Sequence, residues 1–247
     1  MKFGVADYGM NVWDGGAFDL EDRLNRLKAI GYEGIERLEA VSADDAMHQA
    51  AIYRKMGMAF GTVRGPSPSV SIQWAAALGR AYVWTAVTGT DFDTFCRQVN
   101  IQVEACRRWG ITAALHNHLG TPVESQDQLE EFLARCPACS LLLDTAHLAA
   151  AGGDPIATIH NHADRLVAVH LKDWITLHPE IGLENWTERG RFSELGAGNV
   201  GLDFKAIRQS LVKVGYDGWC YVEQDTHLQD PIKDLAKSRR VLRDAGF

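Results

Sequence analysis

The 247-residue chain has no run approaching the roughly 18 apolar residues of a membrane-spanning helix. A basic-then-apolar leader is missing too, because Lys2-Phe3-Gly4-Val5-Ala6 enters a strand pattern at once. The cytoplasm is therefore the expected compartment. Positive charge is in deficit: 25 Lys and Arg against 32 Asp and Glu give a net charge of −7. That balance leaves no whole-chain electrostatic footprint for DNA or RNA. Cysteines number five, and Cys136-Pro137-Ala138-Cys139 has no second pair to complete a zinc site, so it reads as loop. No glycine-rich strand-to-helix turn cradles a phosphate. Gly196-Ala197-Gly198 precedes a helix but lacks the long strand before it and the acidic residue after it that a dinucleotide site needs.

What the chain does have is 46% hydrophobic residues, enough for a large core, set in short apolar runs that alternate with helical patterns. Strands are expected at 2–8, 34–36, 58–63, 82–87, 111–116, 140–144, 165–170 and 218–223. Helices are expected at 18–30, 43–55, 70–79, from 91 or 93 to 109, 125–135, 154–162, 203–214 and 230–245. Leu20, Leu24, Leu27 and Ile30 recur at helical spacing and Gly31 stops that helix. Ser125 with Gln128 three residues on forms a capping box. Alternating units without a linker or composition break argue for one domain over 1–247, a closed (β/α)8 barrel, with an open doubly wound sheet as the alternative. The connection 174–201 carries Trp174, Trp186 and Phe192, enough apolar surface to fold over the active-site mouth.

Several strands stop on metal-binding side chains. Leu141-Leu142-Leu143 leads into Asp144, Leu166-Val167-Ala168-Val169 into His170, and Trp219-Cys220-Tyr221-Val222 into Glu223. Buried parallel strands read as apolar runs, and α/β barrels carry their chemistry at the carboxyl ends of such strands. Alternation puts His170 with Lys172 on one face, Tyr221 with Glu223 and Asp225, and His116 with His118; Glu36 ends strand two on the same principle. An Asp, a His and a Glu converging on one point suit a divalent cation. A single strand-end His or Asp is more often a hydrogen-bonding or capping residue, and Asp144 could cap a helix starting at Thr145. The joint occurrence carries the inference. His160-Asn161-His162, at a helix end, is expected on the surface.

His116-Asn117-His118, Asp144-Thr145-Ala146-His147, His170-Leu171-Lys172-Asp173, Glu194-Leu195-Gly196-Ala197-Gly198-Asn199 and Val222-Glu223-Gln224-Asp225 resemble segments of the sugar phosphate isomerase/epimerase superfamily, the xylose isomerase-like TIM barrels. Within it the likeness is greatest to inosose dehydratase-like members. The resemblance spans the chain and concentrates after residue 111. It implies a divalent metal held by Glu124, Asp144, His170 and Glu223, with Mn2+ favoured, Co2+ or Mg2+ as substitutes and Zn2+ less suited. Many members carry a Glu at the place of His116; Glu124 is taken as the first ligand here, with His116 or His118 as the alternative. Glu124 and Glu223 are implied as the acid/base pair, Lys172 as a catalytic group at the enediolate oxygen, and Glu36, His116, His118, His147 and Glu194 as substrate-binding residues.

The expected activity is isomerisation or epimerisation of a keto sugar by proton abstraction next to a carbonyl. Dehydration of an inosose or 3-keto-glycoside at the same site is the alternative. The expected partner is a small-molecule carbohydrate, with no nucleic acid and no membrane, and a homo-oligomer is left open. Apurinic-site cleavage, the chemistry of the similar endonuclease IV barrels, needs more metal ligands and basic phosphate contacts. A sugar-binding barrel without turnover is the non-enzyme reading.

Overall fold

A computed structural model describes residues 1–86 and 91–247. Its strands are β1 (Lys2–Ala6), β2 (Gly34–Glu39), β3 (Ala59–Arg64), β4 (Tyr82–Trp84), β5 (Thr112–His116), β6 (Ser140–Asp144), β7 (Leu166–Leu171), β8 (Asp173–Thr176), β9 (Gly190–Ser193) and β10 (Trp219–Glu223). All but β8 and β9 join one parallel sheet in the order β3-β2-β1-β10-β7-β6-β5-β4. The two ends of that sheet meet where the Thr62 hydroxyl of β3 donates to the Tyr82 carbonyl of β4 at 2.6 Å. The protein is a nearly closed (β/α)8 barrel with its helices outside.

Each expected barrel strand is present, usually within a residue or two of its expected bounds. The exception is the fourth, observed as Tyr82–Trp84; its expected end at Val87 and the following Thr88-Gly89-Thr90 lie outside the described residues. Local chemistry sets the helix ends. Asp19, Ser42, Ser67, Asp91 and Asp203 each accept a first-turn amide, and the Ser125–Gln128 capping box forms. Gly31 ends its helix at φ 101°, a left-handed conformation that disfavours a side chain. The six-residue helix Tyr8–Trp13 was not expected; its Asp7 cap makes no side-chain hydrogen bond, so no cap signal marks it.

Aromatic bulk and glycine together close the barrel interior. Tyr221 is fully buried among Ala6, Tyr82, Ala114, Leu142 and Ala168. A Cβ on Gly61 would lie 2.0 Å from its hydroxyl, and one on Gly4 2.7 Å from its ring. Small residues on facing strands thus admit one large ring, and the interior is packed rather than open.

The 174–201 connection is built, not loose. β8 and β9 pair antiparallel, with Leu183–Asn185 and Trp186–Arg189 forming short helical turns between them. Trp174 and Phe192 are buried with Leu119 and Ala146, which pins the hairpin to the barrel mouth. Asp173 holds its far side, accepting from the amides of Gly196 and Gly198 at 2.9 and 3.1 Å. Among the described residues no helix is long and apolar enough to cross a membrane.

All five cysteines are free and buried. Burial pushes the thiols of Cys136, Cys139 and Cys220 up to about 12, so they stay protonated at neutral pH. The native protein should resist a thiol reagent such as DTNB at pH 8, whereas the unfolded chain should release five equivalents of chromophore. Rapid native labelling at Cys136 or Cys139 would show that Cys136-Pro137-Ala138-Cys139 is accessible and not simply packed loop.

Candidate active site

The carboxyl ends of four neighbouring strands, β5, β6, β7 and β10, bring His116, Asp144, His170 and Glu223 together. Ladder register fixes part of this: Asp144 pairs with His170, and Tyr221, two residues before Glu223, also pairs with His170. One ligand atom from each of the four lies within 4.8 Å of the others. His116 Nε2 stands 3.4 Å from Asp144 Oδ2 and 4.0 Å from Glu223 Oε2; His170 Nδ1 stands 3.0 Å from Glu223 Oε2 and 3.8 Å from Asp144 Oδ2. Ligands bonded at about 2.0–2.2 Å to one ion are separated by roughly 3–4 Å, so the spacing fits a small divalent cation.

Asp144 serves two purposes. Its Oδ1 accepts from the amides of Ala146 and His147 at 2.9 and 2.8 Å, capping the helix Thr145–Ala150, while Oδ2 faces the cluster. The capping role raised from the sequence is taken by Oδ1, which leaves Oδ2 available as a metal ligand. Asn117 locks the same residue, accepting from the Asp144 amide at 2.8 Å and donating to its carbonyl at 3.1 Å.

His170 is oriented from behind. Its Nε2 meets Glu36 Oε2 at 2.8 Å, and Glu36 Oε1 accepts from the Tyr82 hydroxyl and the Trp84 indole at 2.9 and 2.8 Å. With Nε2–H given to Glu36, Nδ1 is the nitrogen offered to a metal, the carboxylate–imidazole arrangement that raises ligand basicity. Burial alone would raise the Glu36 carboxyl and lower His170. Their mutual attraction reverses both, leaving Glu36 below its usual range and His170 well above.

Lys172 lies beneath, wholly buried. Its Nζ reaches Glu223 Oε2 at 2.8 Å, Asp225 Oδ2 at 2.6 Å and His147 Nε2 at 3.2 Å. Burial works against its charge, but Asp225 and Glu223 outweigh it and hold the ammonium well above its usual range. His147 Nδ1 accepts from the Leu119 amide at 3.1 Å, and burial with the Lys172 charge keeps this imidazole neutral. His118, His147 and Asp225 form a second cluster of ligand-type atoms, yet the lysine ammonium already sits against two of them.

Above the cluster opens a cavity of about 640 Å³. His116, His118, Glu223 and Asp225 reach it from the barrel, Trp84 forms one wall, and Trp186 and Phe192 of the hairpin segment form another. Of the residues singled out in the sequence, Asp144, His170 and Glu223 converge as expected, with His116 as the fourth. His118 lines the cavity, whereas Glu36, His147 and Lys172 are buried around it. Glu124, expected as first ligand and base, is not brought to the cluster: its Oε2 accepts from the Gly120 amide at 2.8 Å. Glu194, expected at the substrate, instead faces Lys237 at 3.4 Å and does not line the cavity. His160 is exposed, as expected of that repeat, whereas His162 is half-buried and pairs with Glu130 at 2.8 Å.

Asp225 received no role from the sequence, although the i, i+2 relation to Glu223 puts both on one face and was signal enough. Trp84 and the mouth arginines Arg37, Arg64 and Arg191 carried no such signal.

Residues 70–245 match the xylose isomerase-like TIM barrel family model, and the chain belongs to that family. It is 31% identical over 154 residues to an inosose dehydratase of Lactiplantibacillus plantarum, covering 59% of this chain and 50% of that protein. It is 32% identical over 150 residues to a rhizopine catabolism protein of Rhizobium meliloti, covering 58% and 45%. The chain thus spans about half the length of these curated relatives. A probable 3-DHS dehydratase from Bacillus anthracis superposes with a TM-score of 0.74 at 15% identity, covering 98% of this chain and 99% of that one, a likeness of fold.

Calorimetric titration with Mn2+ or Co2+ tests the cluster. His116→Ala, Asp144→Ala and His170→Ala should abolish binding, and Glu36→Gln should weaken it by about 10–100-fold through loss of the imidazole's partner. Glu124→Gln and the surface control His160→Ala should leave affinity within about threefold, the ordinary effect of a residue remote from the ion. A loss in Glu124→Gln as severe as in Asp144→Ala would return Glu124 to the ligand set.

Proposed function

We propose that the protein removes water from a keto sugar or keto-cyclitol, a lyase reaction that begins with proton abstraction next to the carbonyl. Epimerisation, favoured from the sequence, requires a proton to leave one face of the substrate and return to the other, a task for two opposed carboxylates. One observation weighs against it: the carboxylates lining the cavity, Glu223 and Asp225, both come from the end of β10. The other barrel side chains that line the cavity beside them, His116 and His118, are imidazoles, and Glu124 is engaged with the Gly120 amide. The inosose dehydratase relative supports the same reading.

Elimination suits a base and an acid on one side. A divalent ion held by His116, Asp144, His170 and Glu223 would polarise the carbonyl and stabilise the negative charge developing on its oxygen. Glu223 Oε2 accepts from Lys172 and lies beside His170 Nδ1, which leaves Oε1, without a hydrogen-bond partner among the described residues, to accept the carbon-bound proton. Asp225 holds Lys172 through Oδ2, its buried Oδ1 has no hydrogen-bond partner among the described residues, and its carboxyl, at the cavity lining, would protonate the departing hydroxyl. Lys172 touches both carboxylates, at 2.8 and 2.6 Å, and so provides the route by which a proton taken at Glu223 is replaced at Asp225. The substrate C–H and C–O bonds break, a C=C bond forms, and water leaves. Two imidazoles and two carboxylates suit Mn2+, Co2+ or Fe2+, and the second imidazole weakens the expectation against Zn2+.

Incubating the metal-loaded protein in deuterated water with ketoses, inososes and 3-keto-glucosides tests this by mass and ultraviolet absorbance. The expected product has lost one water and absorbs as an unsaturated ketone. Glu223→Gln should lose both hydrogen exchange and water loss. Asp225→Asn should keep exchange while water loss falls by about 100-fold, the scale of a missing general acid. Deuterium incorporation without water loss in the unaltered protein would overturn the lyase reading in favour of epimerisation.

A further inference from the structure

The mouth of the active-site cavity carries charge opposite to that of the chain. Against a net charge of −7, three arginines line this one opening: Arg37 from β2, Arg64 from β3 and Arg191 from β9. They come from separate elements and converge only in the folded molecule.

Their protein partners are few. Glu39 Oε1 is shared by Arg37 Nε at 3.4 Å and Arg64 Nη1 at 3.5 Å, one carboxylate between two guanidinium groups. Asp7 and Glu36 also feel the Arg37 charge, but Asp7 is taken by Arg23 at 3.0 Å and Glu36 by His170 at 2.8 Å. The Arg191 side chain makes no hydrogen bond or ion pair among the described residues. The acids that line the cavity, Glu223 and Asp225, are committed to the buried Lys172. The rim therefore holds cationic charge that its own carboxylates do not balance.

Arg37 is also linked to the cluster through one cavity wall. The Arg37 guanidinium sits 4.4 Å over the Trp84 ring, and Trp84 lies 4.6 Å from His116 between ring centroids. One indole thus separates the metal cluster from the first guanidinium. A neutral sugar or cyclitol gives these groups nothing to bind as ions, whereas a carboxylate or phosphate matches the guanidinium fork.

We propose that the natural substrate is anionic: a keto sugar or keto-cyclitol derivative whose carboxylate or phosphate is seated by Arg37, Arg64 and Arg191 while its keto end reaches the cluster. The proposal rests on the reading of the cavity as a keto-substrate site. It does not depend on whether the outcome is elimination or epimerisation.

A matched set of ketoses tests it: fructose, its 6-carboxylate fructuronate and fructose 6-phosphate, titrated into the metal-loaded protein at low and high salt. At least one anion should bind about tenfold or more tighter than fructose, with a preference that shrinks as salt screens it. The tighter anion identifies the source, fructuronate for a carboxylate and fructose 6-phosphate for a phosphate. The double variant Arg64→Gln/Arg191→Gln should bring the ratio to within about twofold of unity, while Arg240→Gln, an exposed arginine of the last helix, should leave it unchanged. Weak or absent binding of both anions relative to fructose, or a preference that survives the double variant, overturns the proposal. Anion preference without water loss from any substrate would uphold it while the lyase reading fails. Water loss from a neutral inosose without anion preference would do the reverse.

Discussion

Burial of charge is the constraint around which this molecule is built. Glu36, Asp144, Glu223 and Asp225 are gathered in one barrel mouth with a single ammonium, Lys172, and the imidazoles of His116 and His170 between them. Removing such groups from water costs several kcal/mol per ion unless each is paired and hydrogen-bonded. The structure meets that cost atom by atom: Tyr82 and Trp84 donate to Glu36, the helix at Thr145 donates to Asp144, and Lys172 bridges Glu223 and Asp225. Carboxylates outnumber resident cations here, and a divalent ion on His116, Asp144, His170 and Glu223 would redress the balance.

The same constraint separates roles by depth. Lys172 and His147 are fully buried, whereas Glu223, Asp225, His116 and His118 reach the cavity. The β8–β9 hairpin contributes Phe192, and the turn between its strands Trp186; His147 lies 4.8 Å from Phe192 between ring centroids, and His118 lies 5.6 Å from Trp186. Aromatic packing thus keeps water from the deep charges while the rim remains polar. In a low-dielectric floor under a charged mouth, small displacements of an oxygen change interaction energies by large amounts. The capping and ladder hydrogen bonds that fix Asp144 and His170 are therefore part of the chemistry.

Much of the fold was legible because its determinants are local. Apolar runs of strand length, the Ser125–Gln128 capping box and the glycine at 31 act over a few residues each. Their regular alternation leaves the barrel as the economical closure. The convergence of Asp144, His170 and Glu223 was legible for a related reason: in parallel barrels the carboxyl end of each strand faces one common opening. The hairpin at 173–193 was read only as a connection, because its strands pair antiparallel across an intervening pair of helical turns and owe their position to Trp174 and Phe192 packing on the barrel.

The sequence by itself determined the architecture and the ligand-type side chains at three strand ends, since periodicity, caps and composition are properties of neighbouring residues. Only the tertiary structure decided that His116 rather than Glu124 stands with those three. Glu124 has the right chemistry, but the loop after β5 turns its carboxylate back onto the Gly120 amide. Only the tertiary structure, likewise, put Arg37, Arg64 and Arg191 at one mouth and tied Lys172 to both Glu223 and Asp225. Those relations join residues as much as 154 positions apart, as Arg37 and Arg191 are, and they arise from ring closure of the sheet and the fold-back of a hairpin, which no window along the chain contains.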